Sequence, residues 1–207
     1  MPRAQQRLAV WINGIQAGVW EKIRGEDVLH YLPEWIADEQ GRALSLSLPF
    51  TPGNQPWRGD VVRDYFDNLL PDSHSIRRRL AMRYQAESSE PFDLLAELGR
   101  DCVGAIQFLK MDEEPTDLFS VNYRPLSEAE IATTLRNTTA TLLPGRQDDA
   151  GDLRLSIAGA QEKQALLWHQ QPWCLTEGNT PTTHIFTLPL GLVGNMLDDM
   201  STSVDNT

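Results

Sequence analysis

The dipeptide Asn13-Gly14 lies between two apolar-rich runs in RLAVWINGIQAGVWEK. A two-residue turn whose twist matches its flanking strands needs positive φ at both central positions, and Asn followed by Gly supplies it at little steric cost. The chain therefore opens on an antiparallel hairpin. Downstream, ALSLSLPF alternates Leu44, Leu46 and Leu48 with Ser45 and Ser47, a period of two that predicts another strand with one face turned inward.

Helical spacing follows. Val62, Tyr65, Phe66 and Leu69 recur along one face before Pro71, which stops the element. Ile76, Leu80 and Tyr84 are four apart, and SSEPFDLLAELGR places Pro91 near a helix start and Gly99 just past its end. VGAIQFLK reads as a returning strand. Ser127 and Glu130 have the spacing of a capping box at the head of a short helix in SEAEIATTLRN. The polar, turn-rich stretch that follows predicts a linker within 137–151. Beyond it LRLSI, QALLWH, PWCLT and THIFTL are four candidate strands, and the tail GNMLDDMSTSVDNT offers no closing element. The fold class is α+β, with a first unit of strands and helices over 1–136 and a second, β-rich unit over 152–207.

Composition narrows the functions open to such a chain. Its 207 residues, 41% hydrophobic and 23% charged, suffice for one large or two small domains. With 29 acidic against 18 basic side chains the net charge is −11, so the surface field repels a phosphate backbone and suits a basic protein partner. Cys102 and Cys174 stand far apart without ligand spacing and are read as buried thiols of a reducing compartment. The N-terminus has no signal-type apolar core and no run approaches membrane length, which makes the cytoplasm the expected location.

The segment with chemical content is SIAGAQEK, residues 156–163. Ala158, Gly159 and Ala160 carry side chains small enough for backbone N–H groups to approach an anion. It lacks the Walker pattern and the full Gly-rich pattern of a dinucleotide or protein-kinase loop, and in isolation it reads as a hairpin turn. Lys163 is either a phosphate ligand or a solvated edge residue at a strand start. His184 is read as a hydrogen-bonded core residue with a nucleotide-facing role as the alternative, and Arg77, Arg78 and Arg79 as a solvated helix face with an acidic partner's footprint as the alternative. Asp67 and Asn68 are read as local backbone partners, and Trp11, Trp20, Trp35 and Trp57 as core or interface anchors.

Residues 153–188 resemble the HipA family of serine/threonine kinase toxins. The resemblance is carried by Arg154-Leu155-Ser156-Ile157-Ala158-Gly159-Ala160-Gln161-Glu162-Lys163 and by Thr180-Pro181-Thr182-Thr183-His184-Ile185. YLPEW, LSLSLP, YFDNLLPDS, PFDLLAELGRDCVGA and SVDN extend it in the same order along the chain. It implies that 152–207 begins a protein-kinase-like N-lobe built on an antiparallel phosphate-loop sheet. It also implies a loop of Ala158, Gly159, Ala160, Gln161, Glu162 and Lys163 over the phosphates of ATP, with Mg, and autophosphorylation at Ser156. The family phosphorylates glutamyl-tRNA synthetase and is restrained by a small DNA-binding, HipB-like antitoxin, so nucleic acid is met only through that partner.

Two departures qualify what this chain does alone. Where the family has a lysine on the nucleotide phosphates, this sequence has Thr187, which has no cation and a shorter reach. The sequence stops at Thr207, just after SVDN, where the catalytic lobe would begin, and it holds no catalytic Asp loop or metal-holding segment. The expectation is a truncated family member without catalytic residues or metal ligands. The alternative is a non-catalytic module that engages an antitoxin or a separately encoded kinase lobe.

Overall fold

The computed structural model describes residues 6–100, 102, 106–116, 120–139, 163–177, 180–187, 191–193 and 198–200. Asn13 and Gly14, with φ of 50° and 81°, join β1 (Gln6–Ile12) to β2 (Ile15–Ile23) as the dipeptide requires. A second tight turn at Arg24-Gly25, with φ of 54° and 87°, leads into β3 (Glu26–Tyr31). Arg is an unusual residue at such a position, so the sequence did not announce this turn. With β4 (Trp57–Arg58) and β5 (Ile106–Lys110), these strands form an antiparallel sheet in the order β4-β3-β2-β1-β5.

One face of that sheet carries Leu8, Val10, Trp20, Leu29 and Phe108 into a core shared with four helices, α1 (Pro33–Ala37), α2 (Asp60–Asp67), α3 (His74–Tyr84) and α4 (Pro91–Leu98). Trp20 is its hub. The indole stacks on Phe66 at 4.1 Å and meets Phe92 edge-on at 4.8 Å, and its Nε1–H donates to the buried Asp27 at 2.9 Å. Burial raises the Asp27 pKa, against the lowering effect of Lys22 and of the Trp20 hydrogen bond.

The run ALSLSLPF is not a strand. Leu48 is fully buried while Leu46 is 100% exposed, so the alternating leucines do not share a face. The backbone is instead held from outside. The Tyr31 hydroxyl accepts from the Leu44 N–H at 2.9 Å and donates to the Leu48 carbonyl at 2.6 Å, while Tyr65 donates to the Leu44 carbonyl at 3.2 Å. Burial pushes both phenols up to about 12.

Gly99 follows α4 as expected, for a different reason. Its φ of −74° is open to any residue, but an added Cβ would lie 2.3 Å from the Leu95 carbonyl oxygen and 2.6 Å from the Phe108 ring. Close approach of β5 to the helix end requires the glycine.

A second antiparallel sheet is built from β6 (Tyr123–Pro125), β7 (Lys163–Trp168), β8 (Trp173–Thr176) and β9 (His184–Thr187) in the order β6-β8-β7-β9. Helix α5 (Glu128–Thr139) supplies Ile131 to its small core with Leu126, Leu166 and Leu175. This sheet recruits β6 and α5 from upstream of the expected linker, and α5 continues past residue 137. Residues 140–151 and the candidate strand LRLSI lie outside the described residues. The tail does carry a strand, β11 (Asp198–Met200), which pairs antiparallel with β10 (Gly191–Val193) just before it. Both cysteines are buried, as expected.

Candidate functional site

The second sheet has two chemically distinct faces, fixed by its register. Lys163 pairs with Thr187, Ala165 with Ile185 and Leu167 with Cys174, so these side chains share one face. Tyr123 and Thr176, also a cross-strand pair, extend it. The opposite face carries Leu166, Trp173, Leu175 and Phe186 under α5. There Trp173 meets Phe186 edge-on at 5.0 Å and Trp168 at 4.8 Å.

Helix α5 is anchored by the capping box read from the sequence. The Glu130 carboxylate accepts from the Ser127 N–H at 2.9 Å and from its hydroxyl at 2.8 Å, and Arg124 on β6 donates to it. These hydrogen bonds, those from Ser127 first, hold the Glu130 carboxyl down at about 2. The capped helix covers one face of the sheet, and Lys163 lies on the other. On it, Ala165, Leu167, Cys174 and Thr176 are buried, whereas Ile185 is 58% exposed.

Lys163 opens β7 and pairs with β9, while the pairing of β7 with β8 runs over Leu167 and Trp168 at the other end of the strand. It is the only cation among the described residues of its face. Thr187 stands directly across from it. Its hydroxyl can donate to an anion but brings no charge. Ser156, Ala158, Gly159, Ala160, Gln161 and Glu162 lie outside the described residues.

His184 is not a core residue. It is exposed on β9, with Nδ1 2.8 Å from the Thr183 hydroxyl and its ring edge-on to Trp173 at 4.9 Å. The arginine run is divided by helix geometry. Arg77 is buried and donates through both terminal nitrogens to the Asp67 carboxylate, while Arg78 is exposed. Asp67 thus serves a long-range partner as well as its own turn. Trp20 and Trp35 are core residues, and the partly buried Trp57 donates its Nε1–H to the Pro49 carbonyl at 2.8 Å.

The pairing of Lys163 with Thr187 was missed in the sequence. The turn-bounded runs announce the strands, but β8 intervenes between β7 and β9, and no local signal fixes which residues then face each other.

Known proteins place this architecture. The HipA N-terminal domain family matches residues 8–109, from the third residue of β1 to the penultimate residue of β5. By this domain the chain belongs to the HipA family. Its resemblance to Y4mE of Sinorhizobium fredii is 35% identity over 188 residues, covering 88% of this chain and 43% of that protein. The serine/threonine-protein kinase toxin HipA of Shewanella oneidensis is 26% identical over 157 residues, covering 76% of this chain and 34% of the toxin. A solved complex of Shewanella oneidensis HipA with HipB and its operator DNA superposes with a TM-score of 0.61 at 22% identity, over 87% of this chain and 40% of that one. The chain thus spans about two fifths of the length of the HipA proteins it matches. The HipA N-terminal domain itself is the first sheet with its helices, and the Lys163 face lies beyond it.

Among the described residues, no three His, Cys, Asp or Glu side chains converge. The Lys163 face offers an ammonium, hydroxyls and a thiol, which suit phosphate oxygens and are a poor match for Mg, a hard cation that takes carboxylate and water oxygens. No helix there is long and apolar enough to cross a membrane.

Proposed function

We propose that this chain supplies the nucleotide-phosphate sheet of a HipA-type serine/threonine kinase toxin and is held by a small HipB-like antitoxin. The observation that carries the reading is the Lys163–Thr187 pair, a partly exposed cation and hydroxyl side by side on the face of the second sheet opposite α5. Exposed Ile185 on the same face offers an apolar surface for a base beside a site for phosphates. Under this reading the SIAGAQEK loop covers the phosphates and Ser156 is the autophosphorylation site, while the target is a serine of glutamyl-tRNA synthetase. The name of the Shewanella oneidensis toxin supports the kinase class, and its solved complex with HipB supports the partner.

Phosphoryl transfer needs a cation on the nucleotide, a carboxylate that holds the metal and a group that orients the attacking hydroxyl. ATP with Mg would supply the phosphoryl group and its counter-charge. This chain's own residues bind and orient. Lys163 neutralises phosphate charge and Thr187 donates one neutral hydrogen bond. The lack of a carboxylate among the described residues of this face favours a chain that binds nucleotide weakly and does not turn it over by itself. It also favours the second reading, a binding module that engages the antitoxin or a separately encoded kinase lobe.

Calorimetric titration with Mg-ATP tests the nucleotide face. A charge-assisted hydrogen bond contributes about 1.5–3 kcal/mol, so Thr187→Lys should tighten binding about 10- to 100-fold. Neither protein should incorporate radiolabel at Ser156. Unchanged affinity in Thr187→Lys together with unchanged affinity in Lys163→Met would sink the nucleotide assignment. Labelling of wild-type Ser156 that Gly159→Val abolishes would sink the inactivity. The partner reading requires co-purification with the HipB-like product of an adjacent gene.

A further inference from the structure

Among the described residues the first sheet buries two carboxylates, and their surroundings differ. The Glu21 side chain on β2 is met by Arg7 Nε at 3.3 Å and by His30 Nε2 at 2.9 Å. Asp27 on β3 stands across from Lys22, on the opposite face of the sheet and beside Trp20. Its side chain is 5% exposed, and its carboxylate has one hydrogen-bond donor among the described residues, the Trp20 Nε1–H at 2.9 Å. The Lys22 ammonium is 3.9 Å away, beyond hydrogen-bond reach. Arg63 on α2 and Glu90, the residue before α4, act on Asp27 in opposite senses and form a half-exposed pair of their own at 3.5 Å. The neighbouring Glu26 pairs with Arg58 on β4.

Taking a carboxylate out of water is costly unless close cations and donors replace its hydration, and one neutral hydrogen bond with a distant ammonium replaces little of it. A proton removes that cost. Trp20 still donates to the carbonyl oxygen of a neutral carboxyl, and Lys22 keeps a second seat over the Phe92 ring at 5.9 Å. We propose that Asp27 is a proton-operated latch of this domain, neutral in mildly acidic solution, where the first sheet closes firmly on α2 and α4, and charged near neutral pH, where that contact loosens.

The latch acts where the core is tied together. Trp20 stacks on Phe66 of α2 and meets Phe92 of α4, and the Asp27 carbonyl accepts from the N–H of Gly59, the residue before α2, at 2.8 Å. A charge that draws water to Asp27 therefore draws it to the join between the sheet and both helices. The sense of the pH dependence follows from burial. Desolvation, the largest influence, raises the Asp27 pKa in the folded chain above its ordinary value of 3.8. The stability gained from the bound proton is complete below the ordinary carboxylate range and is lost as pH rises through the raised value. A stabilising Lys22–Asp27 salt bridge predicts the reverse. None of this depends on the nucleotide reading.

The test follows urea unfolding of the full chain between about pH 7 and about pH 4, as wild type and as Asp27→Asn, which keeps an acceptor for Trp20 without the charge. Toward acid the folding constant of wild type should gain at least about 3-fold on that of the variant. Independently of any variant, NMR of the wild-type protein should show the Trp20 Nε1–H resonance, assigned through bonds, shifting along a curve centred above the ordinary carboxylate range. In Lys22→Met, which removes the nearest cation, that curve should move to higher pH. Amide exchange in α2, corrected for its intrinsic pH dependence, should slow as pH falls. A wild type that loses ground to Asp27→Asn toward acid, or keeps a constant distance from it, overturns the proposal. So does a Trp20 resonance that stays fixed down to the ordinary carboxylate range, and this holds even if Asp27→Asn does not fold. Exchange in α2 that ignores pH while Trp20 titrates overturns the coupling of the proton to the helix.

Discussion

Replacing Arg77 by methionine removes a buried cation while keeping most of the side-chain volume. Arg77 is 7% exposed, donates through Nε to the Pro71 carbonyl and holds the Asp67 carboxylate with both terminal nitrogens. Two losses set the magnitude. The Pro71 carbonyl loses a charged donor, and an unsatisfied buried acceptor costs about 1–3 kcal/mol. The Asp67 carboxylate loses its partner, but its side chain is 37% exposed and regains water, which brings the cost below the roughly 3–5 kcal/mol of breaking a fully buried pair. A total near 3 kcal/mol follows. With a urea m-value of about 1–3 kcal/mol/M, the midpoint should fall by about 1–3 M at unchanged slope. Arg78→Met, one residue along on the exposed side, should stay within about 0.5 kcal/mol of wild type. Asp67→Asn should cost less than Arg77→Met, and the double variant should show coupling between the two sites. Circular dichroism of wild type and the four variants through urea gives all these numbers. If Arg77→Met and Arg78→Met are equally mild, the placement of Arg77 as the tie between α2 and α3 is wrong.

Two further outcomes follow from the first sheet and its helices. The neutral form of Tyr31 and Tyr65 is favoured in the folded chain, each with its pKa raised from 10 to about 12. Their contribution is complete below pH 10 and is lost as pH rises from there through about 12. The melting temperature should therefore fall over that window, less steeply in Tyr31→Phe, and a flat profile would contradict the burial of the phenols. Gly99→Ala forces a Cβ to within 2.3 Å of the Leu95 carbonyl oxygen, so it should destabilise by about 1–3 kcal/mol in the same urea assay.

Much of the fold was legible because the forces that set it act over a few residues. Asn13-Gly14 specifies its turn through its own backbone preferences, and the flanking strands then pair with no further information. The apolar spacings of α2, α3 and α4 mark their core faces, and the Ser127–Glu130 box marks the start of α5 within a single helical turn. Family membership was legible for a related reason, since short motifs in a fixed order survive as text even where overall identity is low.

The failures have a common physical cause in partners distant along the chain. The period of two in Leu44, Leu46 and Leu48 is a strand signal only if a neighbouring strand takes up the backbone hydrogen bonds, and here the hydroxyls of Tyr31 and Tyr65 take them instead. Three consecutive arginines look alike in one dimension. Burial against Asp67 distinguishes Arg77 from Arg78, and the fold of α2 against α3 decides it. The sequence by itself determined the local elements, the capped helix and the chemical vocabulary of the candidate site. Only the tertiary structure decided that Lys163 faces Thr187, because a register across a strand pair is set by the sum of contacts over both faces of the sheet, and no single residue carries that sum.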